Sequence, residues 1–130
     1  MGRKKSLQLT EGELPLMQVL WKKRRATVGD VTTSLSADPP LAYSTVLTTL
    51  RILEAKGYVR HTKEGRAFVY EPVVVQEEAS RKALDTLLNR FFGGSCELLV
   101  VHLLKEETIG RAELRRIKKM ITESEQGGHK

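Results

Sequence analysis

The chain is short of the residues that most chemistry needs. One cysteine in 130 residues, Cys96, excludes an intramolecular disulfide and a cysteine-built metal cluster, and fits a reducing compartment. The three histidines, His61, His102 and His129, stand in no catalytic or metal-binding spacing, and Gly93-Gly94 reads as a helix stop, not a phosphate loop. No run approaches the ~18 apolar residues of a membrane span. The opening MGRKKSLQLT has no apolar core of the kind a signal peptide carries. These absences argue against an enzyme, a resident metal or cofactor, and membrane insertion. The expectation is one soluble chain in the cytoplasm.

What is present is a foldable composition with a basic bias: 40% hydrophobic, 29% charged, net charge +6. At this length one compact domain, or one domain plus a short appendage, is expected. The charge is unevenly placed. Residues 1–72 hold 12 Lys/Arg against 7 Asp/Glu, and residues 73–130 hold 10 against 9. An anionic partner therefore belongs to the first part.

Helix signals open that part. Thr10 and Glu13 have capping-box spacing, Leu9 and Leu14 staple spacing, and Leu14, Met17, Leu20 and Trp21 form an apolar stripe ended by KKRR. Pro15, which lacks a backbone donor, is expected to disturb the first turn. Thr27 with Asp30 opens a shorter second helix whose stripe is Val28, Val31 and Leu35, stopped by Ala37-Asp38-Pro39-Pro40. A third helix runs from about Tyr43 to Lys56 and closes at Gly57. Its inner face is Val46, Leu50 and Leu53; its outer face is small and polar, with Arg51 and an unexplained Ile52. Tyr58–Thr62 and Ala67–Glu71 then alternate at period two around Lys63-Glu64-Gly65-Arg66, with Val59, Phe68 and Tyr70 on one side.

Helix, helix, helix, ribbon is the order of a winged helix-turn-helix. A helix fits the DNA major groove, and the residues of its N-terminal half face the base edges. Tyr43, Ser44, Thr45 and Thr48 occupy that half, with hydroxyls suited to phosphates or bases. Arg51 is the long-reach charged candidate, Lys63 and Arg66 suit flanking phosphates at the wing tip, and Arg3, Lys4 and Lys5 add a basic arm.

Beyond Pro72 the chain is helical. Ala79, Ala83, Leu84, Leu87, Leu88 and Phe91 mark a long helix ended by Gly93-Gly94. Ser95 caps CELLVVHLLKE, Leu114, Ile117 and Ile121 mark a last helix, and SEQGGHK reads as a frayed end. The expected architecture is mainly α, with a two- or three-stranded wing. It divides into 1–72, a winged helix, and 73–130, a helical region.

The stretches LTEGELPLMQVLW, AYSTVLTTLRILEAKGYVRHTKEGRAFVYEP and FFGGSCELLVVHLL together resemble the BlaI/MecI/CopY family of bacterial repressors, the penicillinase-repressor type, over about Leu7 to Ile121. The resemblance implies a homodimer that represses transcription at a palindromic operator. Its N-terminal winged helix would bind double-stranded DNA and its C-terminal helices would interlock. The apolar positions expected in that dimer are Leu84, Leu87, Leu88, Phe91, Leu99, Leu103, Leu114 and Ile117. Tyr43, Ser44, Thr45, Thr48, Lys63, Gly65 and Arg66 match the family's contact regions. Leu47 departs from it, standing where the β-lactamase repressors carry a basic residue, and is open to a thymine-methyl contact.

Release in β-lactam-responsive members is by a membrane sensor metallopeptidase cutting the C-terminal domain, which corresponds here to Val101-His102-Leu103. His102-Leu103 departs from the Asn-Phe pair of those repressors, and a hydrogen-bonding, dimer-facing role for His102 is the competing reading. The chain ends EQGGHK without the paired CxC motifs of copper-responsive members, so copper–thiolate release is not expected. Two other classes stay in play: a winged helix used as a protein-interaction module, and a non-specific DNA-binding protein.

Overall fold

A computed structural model describes residues 8–36 and 38–127; the Arg3-Lys4-Lys5 arm and His129 lie outside the described residues. The elements run α1 (Leu14–Lys23), β1 (Ala26–Thr27), α2 (Val28–Ser34), α3 (Tyr43–Ala55), β2 (Val59–Glu64), β3 (Ala67–Pro72), α4 (Gln76–Phe91), α5 (Cys96–Lys105) and α6 (Arg111–Gln126). Two compact units divide at Leu84/Asp85, inside α4.

Local chemistry explains the first unit. The Glu13 amide donates to Thr10 Oγ1 at 3.2 Å and the Thr10 amide to Glu13 Oε1 at 2.9 Å, so the reciprocal cap forms, in a turn just ahead of the helix proper. Pro15 falls within the first helical turn, where an N–H has no partner to lose, and α1 continues to Lys23. The buried stripe differs from the expected one. Leu16, Met17 and Leu20 are fully buried, and Leu14 is exposed beside a cavity it lines with Leu9, Trp21 and Ala79. Residues 16, 17 and 20 make as good a helical face as 14, 17 and 21. Trp21 turns to the flank, where its indole N–H donates to Val74 O at 2.9 Å.

Thr27 and Asp30 form the expected capping box at the start of α2, with Val28 and Val31 buried. Val46, Leu50 and Leu53 of α3 are wholly buried. Gly57 takes φ +89°, and the Tyr58 N–H returns to Leu53 O at 3.0 Å, which closes α3. The wing is a two-residue hairpin: Glu64 pairs with Ala67 around Gly65-Arg66, with Gly65 first in the turn at φ +63°. The sheet has three antiparallel strands in the order β1-β3-β2, and β1 pairs through Ala26↔Tyr70 and Thr27↔Val69. Phe68 is half exposed, although it shares the ribbon face of Val59 and Tyr70.

The expected 72/73 division coincides with the end of β3, whereas the compact units part further on. Trp21 bonded to Val74, Gln8 Nε2 donating to Lys82 O at 3.3 Å, and buried Ala79 tie the chain after the wing to the winged helix.

In the second unit Ser95 caps α5, its Oγ accepting from the Leu98 amide at 3.1 Å. Gly93 and Gly94, both at positive φ, end α4 as expected. α6 continues through Ser124 and Glu125 to Gln126, deeper into the C-terminal segment than the frayed end expected from SEQGGHK. Neither α5 nor α6 has a buried residue. Among the described residues no single helix is long and apolar enough to cross a membrane.

Candidate nucleic-acid interface

The outward face of α3 is chemically open. Tyr43 is 54% exposed, and Ser44, Thr45, Thr48 and Arg51 are all exposed. None of these five side chains is hydrogen-bonded or ion-paired to another described residue. The helix begins at Ala42 with no side-chain cap, so its first amides point outward unpaired. An uncapped N-terminus beside short hydroxyl side chains can donate to phosphate oxygens directly.

The wing presents two further cations. Lys63 and Arg66 are exposed and unpaired among the described residues. The cations along the rest of the ribbon are neutralised. Arg25, immediately before β1, is bonded to Glu64 at the wing tip and lies 4.0 Å from Glu71. Arg60 Nε donates to Glu71 Oε2 at 2.6 Å. Glu64, by hydrogen bond and charge, raises the already high pKa of the Arg25 guanidinium. Positive charge without a partner on the ribbon is thereby confined to its tip.

The helix and ribbon are joined beneath these residues. His61 Nδ1 stands 2.8 and 2.9 Å from the carboxylate oxygens of Glu54 on α3. The His61 ring meets Phe68 edge-on at 5.3 Å and Tyr70 at 5.2 Å. Tyr70 is buried, and that burial, then Glu54, pushes its hydroxyl above the usual phenol range despite the opposing charge of Arg51.

Tyr43 and Arg66 come together in a surface groove between α2, the start of α3 and the wing, lined also by Thr27, Gly29, Glu64 and Phe68. Arg51 and Lys63 lie outside that groove. Leu47 is half-buried against the core, so less of it is free for a base contact than its sequence position suggests. No sequence pattern marks Arg25, Glu54, His61, Glu64 or Glu71 as site residues. The Arg60–Glu71 pair follows by counting outward from the Gly65-Arg66 turn; the Arg25 contacts leave no local signal.

This arrangement gives a prediction. Arg25→Ala frees the Glu64 carboxylate in a groove suited to phosphate and is expected to weaken duplex binding roughly threefold. Adding Glu64→Gln should restore it, as read by fluorescence anisotropy. A double variant as weak as the single one would mean that Arg25 touches DNA itself.

Three helices followed by a ribbon make a winged helix, a fold that DNA-binding proteins use. The penicillinase repressor family's sequence profile matches residues 9–123, and the chain belongs to this family of DNA-binding transcriptional repressors. It is 30% identical to a penicillinase repressor of Bacillus licheniformis over 120 residues, 92% of this chain and 94% of that one. It is 32% identical to the transcriptional regulator BlaI of Mycobacterium tuberculosis over 125 residues, 95% of this chain and 89% of that one. Among solved structures, the DNA-binding domain of the repressor BlaI aligns with a TM-score of 0.51 at 36% identity, covering 58% of this chain and 93% of that one.

Proposed function

We propose that the chain represses transcription as a homodimer on a palindromic operator, each winged helix reading one half-site. The observation that carries the DNA-reading part is the unpaired face of Tyr43, Ser44, Thr45, Thr48 and Arg51 beside Lys63 and Arg66. The division of labour is 1–72 for DNA and 73–130 for association.

Dimerisation is supported by apolar surface that one chain leaves uncovered. Leu84, Leu87 and Phe91 of α4 are exposed, as are Leu98, Val101 and Leu104 of α5. Leu99, Leu103, Leu114 and Ile117 are half-buried and Leu88 is buried within a single chain. A unit this small cannot close a core over such surface by itself, and a symmetry mate buries it. The two-fold axis would then set two copies of α3 one or two duplex turns apart.

Release by a sensor metallopeptidase cutting at Val101–Leu103 fits the exposure of Val101 and His102 in α5. The competing role for His102 gains a contact but no bond: its ring meets Phe92 edge-on at 5.9 Å, and its side chain has no hydrogen bond among the described residues.

The test is an anisotropy titration onto the duplex upstream of the protein's own gene, against a shuffled duplex, at several salt concentrations. The expected result is a preference of about 10³ or more, two chains per site, and loss of that preference in Arg51→Ala/Arg66→Ala. Equal affinities that fall together with salt would leave a non-specific basic surface. No binding at any promoter would favour the protein-interaction module.

A further inference from the structure

Ile52 is the large aliphatic residue on α3 that the core does not use. It is 45% exposed, while its neighbours Leu50 and Leu53 are fully buried. On a helix Thr45, Thr48 and Ile52 fall at i, i+3 and i+7, so they form one stripe along the outward face. Arg51 stands beside it, exposed and unpaired among the described residues. The stripe is therefore two hydroxyls followed, one turn toward the C-terminus, by a branched hydrocarbon flanked by a cation.

On a face that meets the major groove, such a group has one partner of its own size. The donors and acceptors of the base-pair edges there are interrupted at the cytosine C5–H and at the thymine C5-methyl, and only the methyl projects far enough to be buried against a side chain. Ile52 offers neither donor nor acceptor. Placed over a cytosine amino group or a guanine carbonyl, it would strip water from that group and return no hydrogen bond. Placed over a methyl it buries apolar surface on both sides. Leu47 is the weaker candidate for this contact because part of its side chain already packs on the core.

We infer that Ile52 is a specificity-determining residue that reads the C5-methyl of a thymine in each half-site and rejects a G·C pair there. This rests on the operator reading above.

The test begins with selection of bound duplexes from a random pool by the full chain. Each thymine of the selected site is then replaced, one at a time, by deoxyuridine, which removes only the methyl. At one position per half-site the replacement should weaken wild-type binding about fivefold. In Ile52→Ala the same replacement should have no further effect, and 5-methylcytosine there should bind wild type better than cytosine. Ile52 is exposed, so the alanine variant is expected to fold, which its melting curve checks. Deoxyuridine effects of equal size in wild type and Ile52→Ala, or none at any thymine, overturn the assignment while leaving operator binding intact. A pool from which no sequence is enriched overturns the operator reading, and this one with it.

Discussion

Lys56→Ala is expected to lower the unfolding free energy by about 3 kcal/mol, seen as a lower urea midpoint at unchanged slope. Lys56 caps the C-terminal end of α3, and its ammonium lies 2.8 and 2.9 Å from the two oxygens of Glu13, with a third bond of 3.2 Å to Gln8 O. The Glu13 side chain is 7% exposed and that of Lys56 17%. Once the ammonium is gone, the carboxylate keeps the Thr10 amide and loses its counter-charge in a nearly dry position. The partial exposure of Lys56 puts the loss at the lower end of what buried pairs give. Glu13→Leu/Lys56→Met, which removes both charges, should recover most of the stability. A loss below about 1 kcal/mol in the single variant would show that water reaches Glu13 readily, and the pair would then count as a surface one.

That pair also marks where reading the sequence stopped. Patterns confined to one element were legible: the Thr27–Asp30 box, the buried face Val46, Leu50 and Leu53, the closure at Gly57, the hairpin around Gly65-Arg66 and the Ser95 cap. Each depends on spacings of a few residues, which propensity and periodicity report directly. Features that join distant elements were not legible. Glu13 is half of a local cap by its spacing from Thr10, and its second partner lies 43 residues away. Arg25 passed as one of four cations in KKRR, though it alone reaches the wing tip, 39 residues on. β1 is two residues long, too short to show alternation, and it exists because β3 has a free edge beside it. The stripe of α1 came out rotated toward Leu16 because two faces of that helix are apolar, and only packing chooses between them. At the candidate interface the Arg60–Glu71 pair follows from the hairpin register, whereas the Arg25–Glu64 contact, which spans 39 residues, has no local signal.

If the chain pairs as proposed, Leu87→Asp/Phe91→Asp leaves a monomer whose operator affinity falls by about 100-fold or more. Both residues lie on α4, four positions apart, 39% and 66% exposed in the single chain. In the monomer Phe91 is two-thirds exposed and Leu87 less so, and both positions reach water, so the carboxylates cost the fold less than they cost the dimer. In a dimer that covers this face each protomer would bury two charges without partners, which association cannot offset. The winged helix keeps its own core, Leu16, Met17, Leu20, Val46, Leu50 and Leu53, and should still bind DNA of any sequence weakly. What disappears is linkage: a second winged helix held at the effective concentration of a tethered partner, so that one bound half-site recruits the other. Sedimentation equilibrium should report half the wild-type mass, and the anisotropy titration should become shallow and nearly independent of half-site spacing. A variant that still dimerises would move the interface off α4 toward Leu98, Val101 and Leu104 of α5. A monomer that binds the operator as tightly as wild type would show that one winged helix reads its site alone, and the two-fold operator would then lose its physical basis.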